Sequence, residues 1–418
     1  LRLLMRLLIN VTINIGLKGM HKTGCDEWWR HISGPQIEVV DDAYRVTFWW
    51  RDPAGNEASS PTRRVWIYIT GVTDHHKNAV PQTLQRIPGT DAWCWQTTLS
   101  AAWRGSYCFI PSARDDDFSP QLFNGDSPDR ALLREGWRKL LPRAIADPLN
   151  PQSWKGGRGH AVSALELPDA PEQPGWALRD EPYQPPVCIE WQSQRLGNRR
   201  RIWIYATGDA QPQARPLAIL LDGQFWAESM PVWAPLAGLT REKRLPQAVY
   251  LLIDVIDNQH RAEELPCNET FWLAVQEELL PMVHRIAPFS DSADRTVVAG
   301  QSFGGLAAMF AALYWPRRFG CVLSQSGSYW WPHRGGAQTG LLIERLSRGE
   351  IQPQGLRIWL EAGVREPIIF RANQALLTHL EQQTIFWRQV DGGHDALCWR
   401  GGLTAGLIQL WQPLGREE

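Results

Sequence analysis

The sequence predicts an α/β protein in two parts: an N-terminal all-β sandwich over residues 20–166 and an α/β domain over residues 188–418, joined by a Pro-rich linker over 167–187. Three observations lead there. Between Tyr44 and Ile110, β-branched and aromatic residues near-alternate in short runs separated by turn signals. From Cys188 onward, apolar runs alternate with helix-like segments, the pattern of a mostly parallel sheet. Within that second half, the stretch Thr296–Tyr314 passes from a β-branched run into an Ala-rich helical pattern through Gly300-Gln301-Ser302-Phe303-Gly304.

In the first part, Tyr44–Arg51, Arg64–Thr70, Trp93–Leu99 and Arg104–Ile110 read as strands. Asp52-Pro53-Ala54-Gly55-Asn56 and Pro88-Gly89-Thr90-Asp91 read as turns between them. One short helix is expected around Ser127–Leu141, and Asp147-Pro148-Leu149-Asn150-Pro151 and Gly156-Gly157-Arg158-Gly159-His160 read as irregular. In the second part the expected strands are Cys188–Ser193, Arg201–Thr207, Leu217–Asp222, Ala248–Val255, Thr296–Gly300, Gly320–Ser324, Arg357–Ala362 and Thr384–Val390. Helical patterns fall at Met230–Leu239, Asn268–Ile286, Gly305–Tyr314, Gly340–Ser347, Pro367–Glu381 and Ala396–Trp411.

Composition narrows the function. Basic and acidic residues balance at 43 and 44, which argues against nucleic acid or an anionic membrane surface as a partner. Seven scattered cysteines without a C-x-x-C read as reduced thiols of a cytoplasmic protein. No apolar run is long enough to span a bilayer. Leu1–Gly19 is apolar but broken by Asn10, Thr12, Asn14 and Lys18, and lacks a cleavage signal. It reads as a disordered upstream extension, with Met20 as the expected start. Asp74-His75-His76 lacks a spaced third ligand and reads as a solvated loop, so no metal site and no cofactor are expected. The 23 tryptophans are mostly core, with a minority available to line a site for an aromatic ligand.

The chemistry gathers around Ser302. A serine on a tight strand-to-helix turn is held with its hydroxyl exposed, and flanking glycines allow strand and helix to approach. Eight strands with this turn after the fifth fit the α/β-hydrolase plan, in which Ser precedes the acid and the acid precedes the His. The last strand runs into Asp391-Gly392-Gly393-His394-Asp395, which makes His394 the expected general base. The acid is expected after the seventh strand, with Glu366 first and Asp391, Glu361 or a Ser–His dyad as alternatives. The oxyanion hole calls for the N–H of Phe303 and one from Gly223 or Gln224, in the loop after the third strand.

With those residues in place, the chain resembles the enterochelin (ferric enterobactin) esterases of enteric bacteria from about Trp28 to the C-terminus. The resemblance rests on long segments, among them Trp66–His76, Ala146–His160, Gly300–Gly305, Ser324–Gly336 and Asp391–Leu403. It implies a cytoplasmic serine hydrolase acting on a siderophore, a cyclic trilactone of three 2,3-dihydroxybenzoyl-serine units. It implies that iron enters only as part of the substrate. The family's nucleophile and base match Ser302 and His394. A bulky trianionic catecholate calls for cations and aromatic faces, and Trp226, Trp330, Trp331, Arg334, Arg371 and Trp399 are the expected substrate contacts. Rival readings are a general carboxylesterase or acyl transferase of the same fold, and a non-catalytic siderophore-binding module.

Overall fold

Near-alternation in the first part produces two sheets, because each face of a strand must find its own apolar partner. A computed structural model describes residues 22–123, 127–155, 159–178, 180–209, 211, 215–333 and 339–412. The extension before Met20, and Met20 itself, lie outside the described residues. Among the described residues two compact units are present: those up to Ala170 with Asp391–Leu397, and those from Pro171 to Val390 with those from Cys398 onward.

In the first unit, one sheet has the order β1-β2-β6-β5, from β1 (Gln36–Val40), β2 (Ala43–Arg51), β5 (Gln85–Arg86) and β6 (Ala92–Ser100). The other has the order β4-β3-β7-β9-β8, from β3 (Arg64–Ile69), β4 (Gln82–Thr83), β7 (Arg104–Ser112), β8 (Ser153–Lys155) and β9 (Ala161–Glu166). Val46, Phe48, Val65, Ile67, Tyr107 and Phe109 share one buried cluster between them. The far face of β3 and β7 is covered by helix Arg130–Leu140, through Trp66, Tyr68, Leu133 and Trp137. Covered on both faces, β7 buries eight of its nine residues and shows no alternation. Asp129 caps that helix, its carboxylate accepting from the N–H groups of Ala131 and Leu132. Between the two stretches expected to be irregular, Ser153–Lys155 forms β8, which pairs with β9 along the sheet edge.

The second unit is an α/β-hydrolase fold. Its eight strands are β10 (Val187–Ser193), β11 (Asn198–Ala206), β12 (Leu217–Leu220), β13 (Val249–Ile253), β14 (Thr296–Gln301), β15 (Cys321–Gln325), β16 (Arg357–Gly363) and β17 (Thr384–Val390). They lie in the order β10-β11-β13-β12-β14-β15-β16-β17. The first two pairings are antiparallel and the rest parallel. The central strands β12, β13, β14 and β15 are buried along their whole length, as continuous apolar runs require of a sheet covered on both faces. Helix Phe303–Tyr314 packs behind β14 with all but its two end residues buried.

Helix Asn258–Glu264 goes unread in the sequence because only Glu264 of its seven residues is buried, which leaves no apolar stripe. The Pro-rich stretch expected as a linker is docked within the second unit over much of its length. Trp176 is buried and donates its indole N–H to the Arg400 carbonyl at 2.7 Å, while Thr404 Oγ1 donates to the Pro174 carbonyl at 2.7 Å.

Candidate active site

The Gly-x-Ser-x-Gly turn is built on a close approach of strand and helix. A Cβ on Gly300 would stand 2.2 Å from the Gly304 carbonyl oxygen, so only glycine fits there. Ser302 carries the bend, with φ 58° and ψ −120°, a conformation that L residues adopt only when held in place. Besides the helical bond that its carbonyl accepts from the Leu306 N–H at 3.2 Å, two backbone hydrogen bonds hold it. Its N–H donates to the Gln325 carbonyl at 3.0 Å, and its carbonyl accepts from the Ser328 N–H at 3.1 Å. The half-buried Ser302 Oγ lies 3.4 Å from Ser328 Oγ. Helix Phe303–Tyr314 starts at the next residue, and its first-turn N–H groups, Phe303's among them, have no intrahelical acceptor.

The loop after β12 is fixed against the same turn by a residue that the sequence did not single out. Arg261 makes a bidentate pair with Asp222, at 2.7 and 2.9 Å, and reaches the Gln301 carbonyl at 3.4 Å. Its guanidinium also lies over the Phe303 ring, 5.5 Å from the centroid. Asp222 takes φ 51°, which turns the chain into Gly223 and Gln224. A Cβ on Gly223 would meet the Ile253 nitrogen at 2.4 Å, and Gln224 Oε1 accepts from the Val255 N–H at 3.2 Å. Both expected oxyanion-loop residues are thus pinned to the end of β13.

Behind Ser302 runs a row of polar side chains, each opposite the next in register across β14, β15, β16 and β17: Gln301, Gln325, Glu361 and Arg388. The Trp226 indole N–H donates to Gln301 Oε1 at 3.0 Å. Gln301 Nε2 donates to Gln325 Oε1 at 2.9 Å, and Gln325 Nε2 donates to Glu361 Oε1 at 2.9 Å. Arg388 Nε sits 3.4 Å from Glu361 Oε2. Burial pushes the Glu361 carboxyl up to about 7, against the opposing pull of Arg388 and the hydrogen bond from Gln325. Trp226, expected to face a ligand, is 1% exposed and uses its only donor within this row; it is a buried support and offers a ligand no surface.

Glu366 is buried at the start of helix Pro367–Leu377. Its Oε2 accepts from Ser326 Oγ at 2.8 Å and from the Gly363 N–H at 2.9 Å. Ser326 in turn accepts the Trp399 indole N–H at 3.0 Å, so Trp399 braces the holder of Glu366. Trp330 and Trp331 are half-buried, and the Trp330 ring centroid is 6.1 Å from that of Phe303. Arg371 is exposed on helix Pro367–Leu377, and Arg334 lies outside the described residues.

His394 is half-buried in the Asp391–Leu397 loop, which groups with the first unit. Its ring stacks on His76 with centroids 4.4 Å apart and planes at 29°. His76 in turn packs against His75 with the rings tilted at 37° and centroids 4.2 Å apart, and His75 Nδ1 lies 3.0 Å from the Tyr68 hydroxyl. Asp391 accepts from Ser100 Oγ, also in the first unit. Among the described residues no cluster of His, Cys, Asp and Glu has the arrangement of a metal site, and no helix is long and apolar enough to cross a membrane.

Comparison with known proteins adds the family. Residues 45–176 match the model "Enterochelin esterase, N-terminal", and residues 193–410 match the model named Esterase. The iron(III) enterobactin esterase of Escherichia coli O6:H1 is 66% identical over 400 residues, covering 95% of this chain and 99% of that protein. The ferric enterobactin esterase structure from Salmonella typhimurium superposes with a TM-score of 0.91 at 68% identity, covering 94% of this chain and all of that one. The Shigella flexneri enterobactin esterase solved in the presence of enterobactin gives a TM-score of 0.84 at 64% identity, with 94% and 100% coverage.

Proposed function

Because the chain belongs to the enterochelin esterase family, we propose that it hydrolyses the lactone esters of enterobactin, free or ferric, with Ser302 as nucleophile, His394 as general base and Glu366 as the acid that orients it. The observation that carries the proposal is the strained, doubly anchored Ser302 at the head of a buried helix. His394 takes the Ser302 proton as Oγ adds to the lactone carbonyl. The N–H of Phe303 and one from Gly223 or Gln224 receive the oxyanion, each worth roughly 3 kcal/mol of barrier lowering. Collapse of the tetrahedral intermediate breaks the ester bond, and His394 protonates the departing serine alkoxide. Water activated by the same imidazole then releases the acyl group as a linear hydroxy acid.

Support for Glu366 is its burial, with Oε2 held by Ser326 and the Gly363 N–H. Glu361 is committed to the buried row behind the turn, and Asp391 to Ser100. Trp330, Trp331, Trp399, Arg371 and Arg334 are assigned to the flat faces and negative charge of the catecholates. Iron is then cargo of the substrate, and opening the macrocycle loosens its hold on the metal. Seven unbridged cysteines suit a reducing cytoplasm.

Ser302→Ala tests the assignment. Chromatography of an enterobactin digest should show turnover reduced on the order of 10⁶-fold, while quenching of tryptophan fluorescence by the siderophore persists. Appreciable turnover by this variant would reject Ser302.

A further inference from the structure

We infer that the first unit serves the reaction by holding the base: Asp395 and His76 are positioning residues for His394. This rests on the reading of His394 as the general base.

One turn after β3 meets the His394 loop at three successive points. Thr70 Oγ1 donates to Asp395 Oδ2 at 2.6 Å. Gly71 packs so closely on Gly393 that a Cβ on the latter would lie 2.4 Å from the Gly71 nitrogen. His76 then lays its ring on that of His394. The turn is itself fixed: Thr73 Oγ1 donates to the Ile67 carbonyl and accepts from the Ile69 N–H, both at 2.8 Å. From β7, Ser106 adds its N–H to Asp395 Oδ2 at 2.6 Å and its hydroxyl to Oδ1 at 3.0 Å.

Asp395 is 3% exposed and accepts four hydrogen bonds, the fourth from the Leu397 N–H at 2.9 Å. Only that fourth bond is a helix cap. The other three come from β7 and the turn after β3, elements of the sandwich, and bonds to a buried carboxylate are the stronger kind. A helix cap alone needs one acceptor, and asparagine supplies it as well as aspartate does. The extra acceptors make sense if the backbone on either side of residue 394 must not move. A misplacement of about 1 Å at a reacting group costs on the order of 10²-fold in rate. The stacked ring restricts the remaining freedom of the His394 side chain, rotation about its own χ angles.

The test uses full-length variants, with kcat and KM on enterobactin measured separately. Asp395→Asn keeps the helix cap but turns an NH2 group toward the Thr70 and Ser106 donors. It should lower kcat about 10²-fold with KM within about twofold, and should cost nothing further in a His394→Ala background. His76→Ala should lower kcat about tenfold, and His76→Phe, which restores a stacking face, should recover most of that loss. An Asp395→Asn penalty equal in both backgrounds, a rise in KM alone, or wild-type kcat in both Asp395→Asn and His76→Ala would overturn the inference. Wild-type turnover by His394→Ala would instead remove the base assignment, and this inference with it. Should Asp395→Asn fail to fold, the alanine and phenylalanine pair at residue 76 decides alone.

Discussion

The two glycines of the Ser302 motif make unequal demands, and substituting each by alanine separates them. At Gly300 the added methyl would lie 2.2 Å from the Gly304 carbonyl oxygen and 2.3 Å from its carbon. Ordinary contact begins at 3.4 Å, so strand and helix would have to part by about 1.2 Å. Neither can yield cheaply: the obstacle is backbone, β14 is buried throughout, and the helix is buried in all but its end residues. Overpacking of this kind costs about 3 kcal/mol, the upper end of the usual range. The displaced Ser302 should lose on the order of 10²-fold in kcat. At Gly304 the methyl would meet Asp222 Oδ2 at 3.4 Å and Leu221 Cβ at 3.5 Å, both ordinary contacts. There the gain in helix propensity, about 1 kcal/mol, is the larger effect. Urea unfolding followed by tryptophan fluorescence, with initial rates of enterobactin cleavage, reads both quantities. Gly300→Ala should be the less stable variant by about 4 kcal/mol and far the slower. Equal stabilities, or a Gly300→Ala enzyme with native kcat, would show that the close approach does not shape the turn.

Two further substitutions probe the carboxylates. Ser326→Ala removes a hydrogen bond to Glu366 and leaves the Trp399 indole N–H without its acceptor, so it should destabilise the chain by about 2 kcal/mol and lower kcat roughly tenfold; a loss below about 0.5 kcal/mol in urea unfolding would contradict this. Glu361 has its folded-state pKa raised from 4.5 to about 7, so its contribution to stability is full below pH 4.5 and is lost as pH rises through 7. Glu361→Gln cannot titrate. Its stability relative to wild type should therefore rise by about 3 kcal/mol between pH 4.5 and pH 8, and parallel stability–pH curves for the two proteins would refute the shift.

The strands of the large sheet were the most legible feature: its central strands are covered on both faces and demand uninterrupted apolar runs, and the eight expected runs, the half-exposed edge strands β10 and β17 included, all became strands of that sheet. The turn at Ser302 was legible for the same reason: its neighbours change period from strand to helix within a few residues. What escaped were polar side chains whose partners are distant in sequence. Arg261 sits on a helix without an apolar stripe and meets Asp222 some forty residues away, so no local pattern announces the pair. Ser326 and Gln325 look like ordinary strand-end residues until Glu366 and Glu361 are brought beside them. Trp226 was misread because an aromatic in a loop next to a candidate site looks like a ligand contact. Its burial depends on Gln301, seventy-five residues on, accepting its N–H. Asp395 shows the same limit, since three of its four donors belong to Thr70 and Ser106.

The row Gln301–Gln325–Glu361–Arg388 has a consequence for folding. Parallel strands made of Val, Ile, Leu and Ala are nearly interchangeable by a slip along their length, since one apolar side chain buries about as well as its neighbour. A slip at any of these three pairings would carry an amide or a carboxylate away from its mate and strand it among hydrocarbon, at a penalty of about 1–3 kcal/mol for each orphaned group. The polar residues thus act as alignment pins: only one arrangement of the four strands seats all of them, and that arrangement sets Ser302 at the end of its strand.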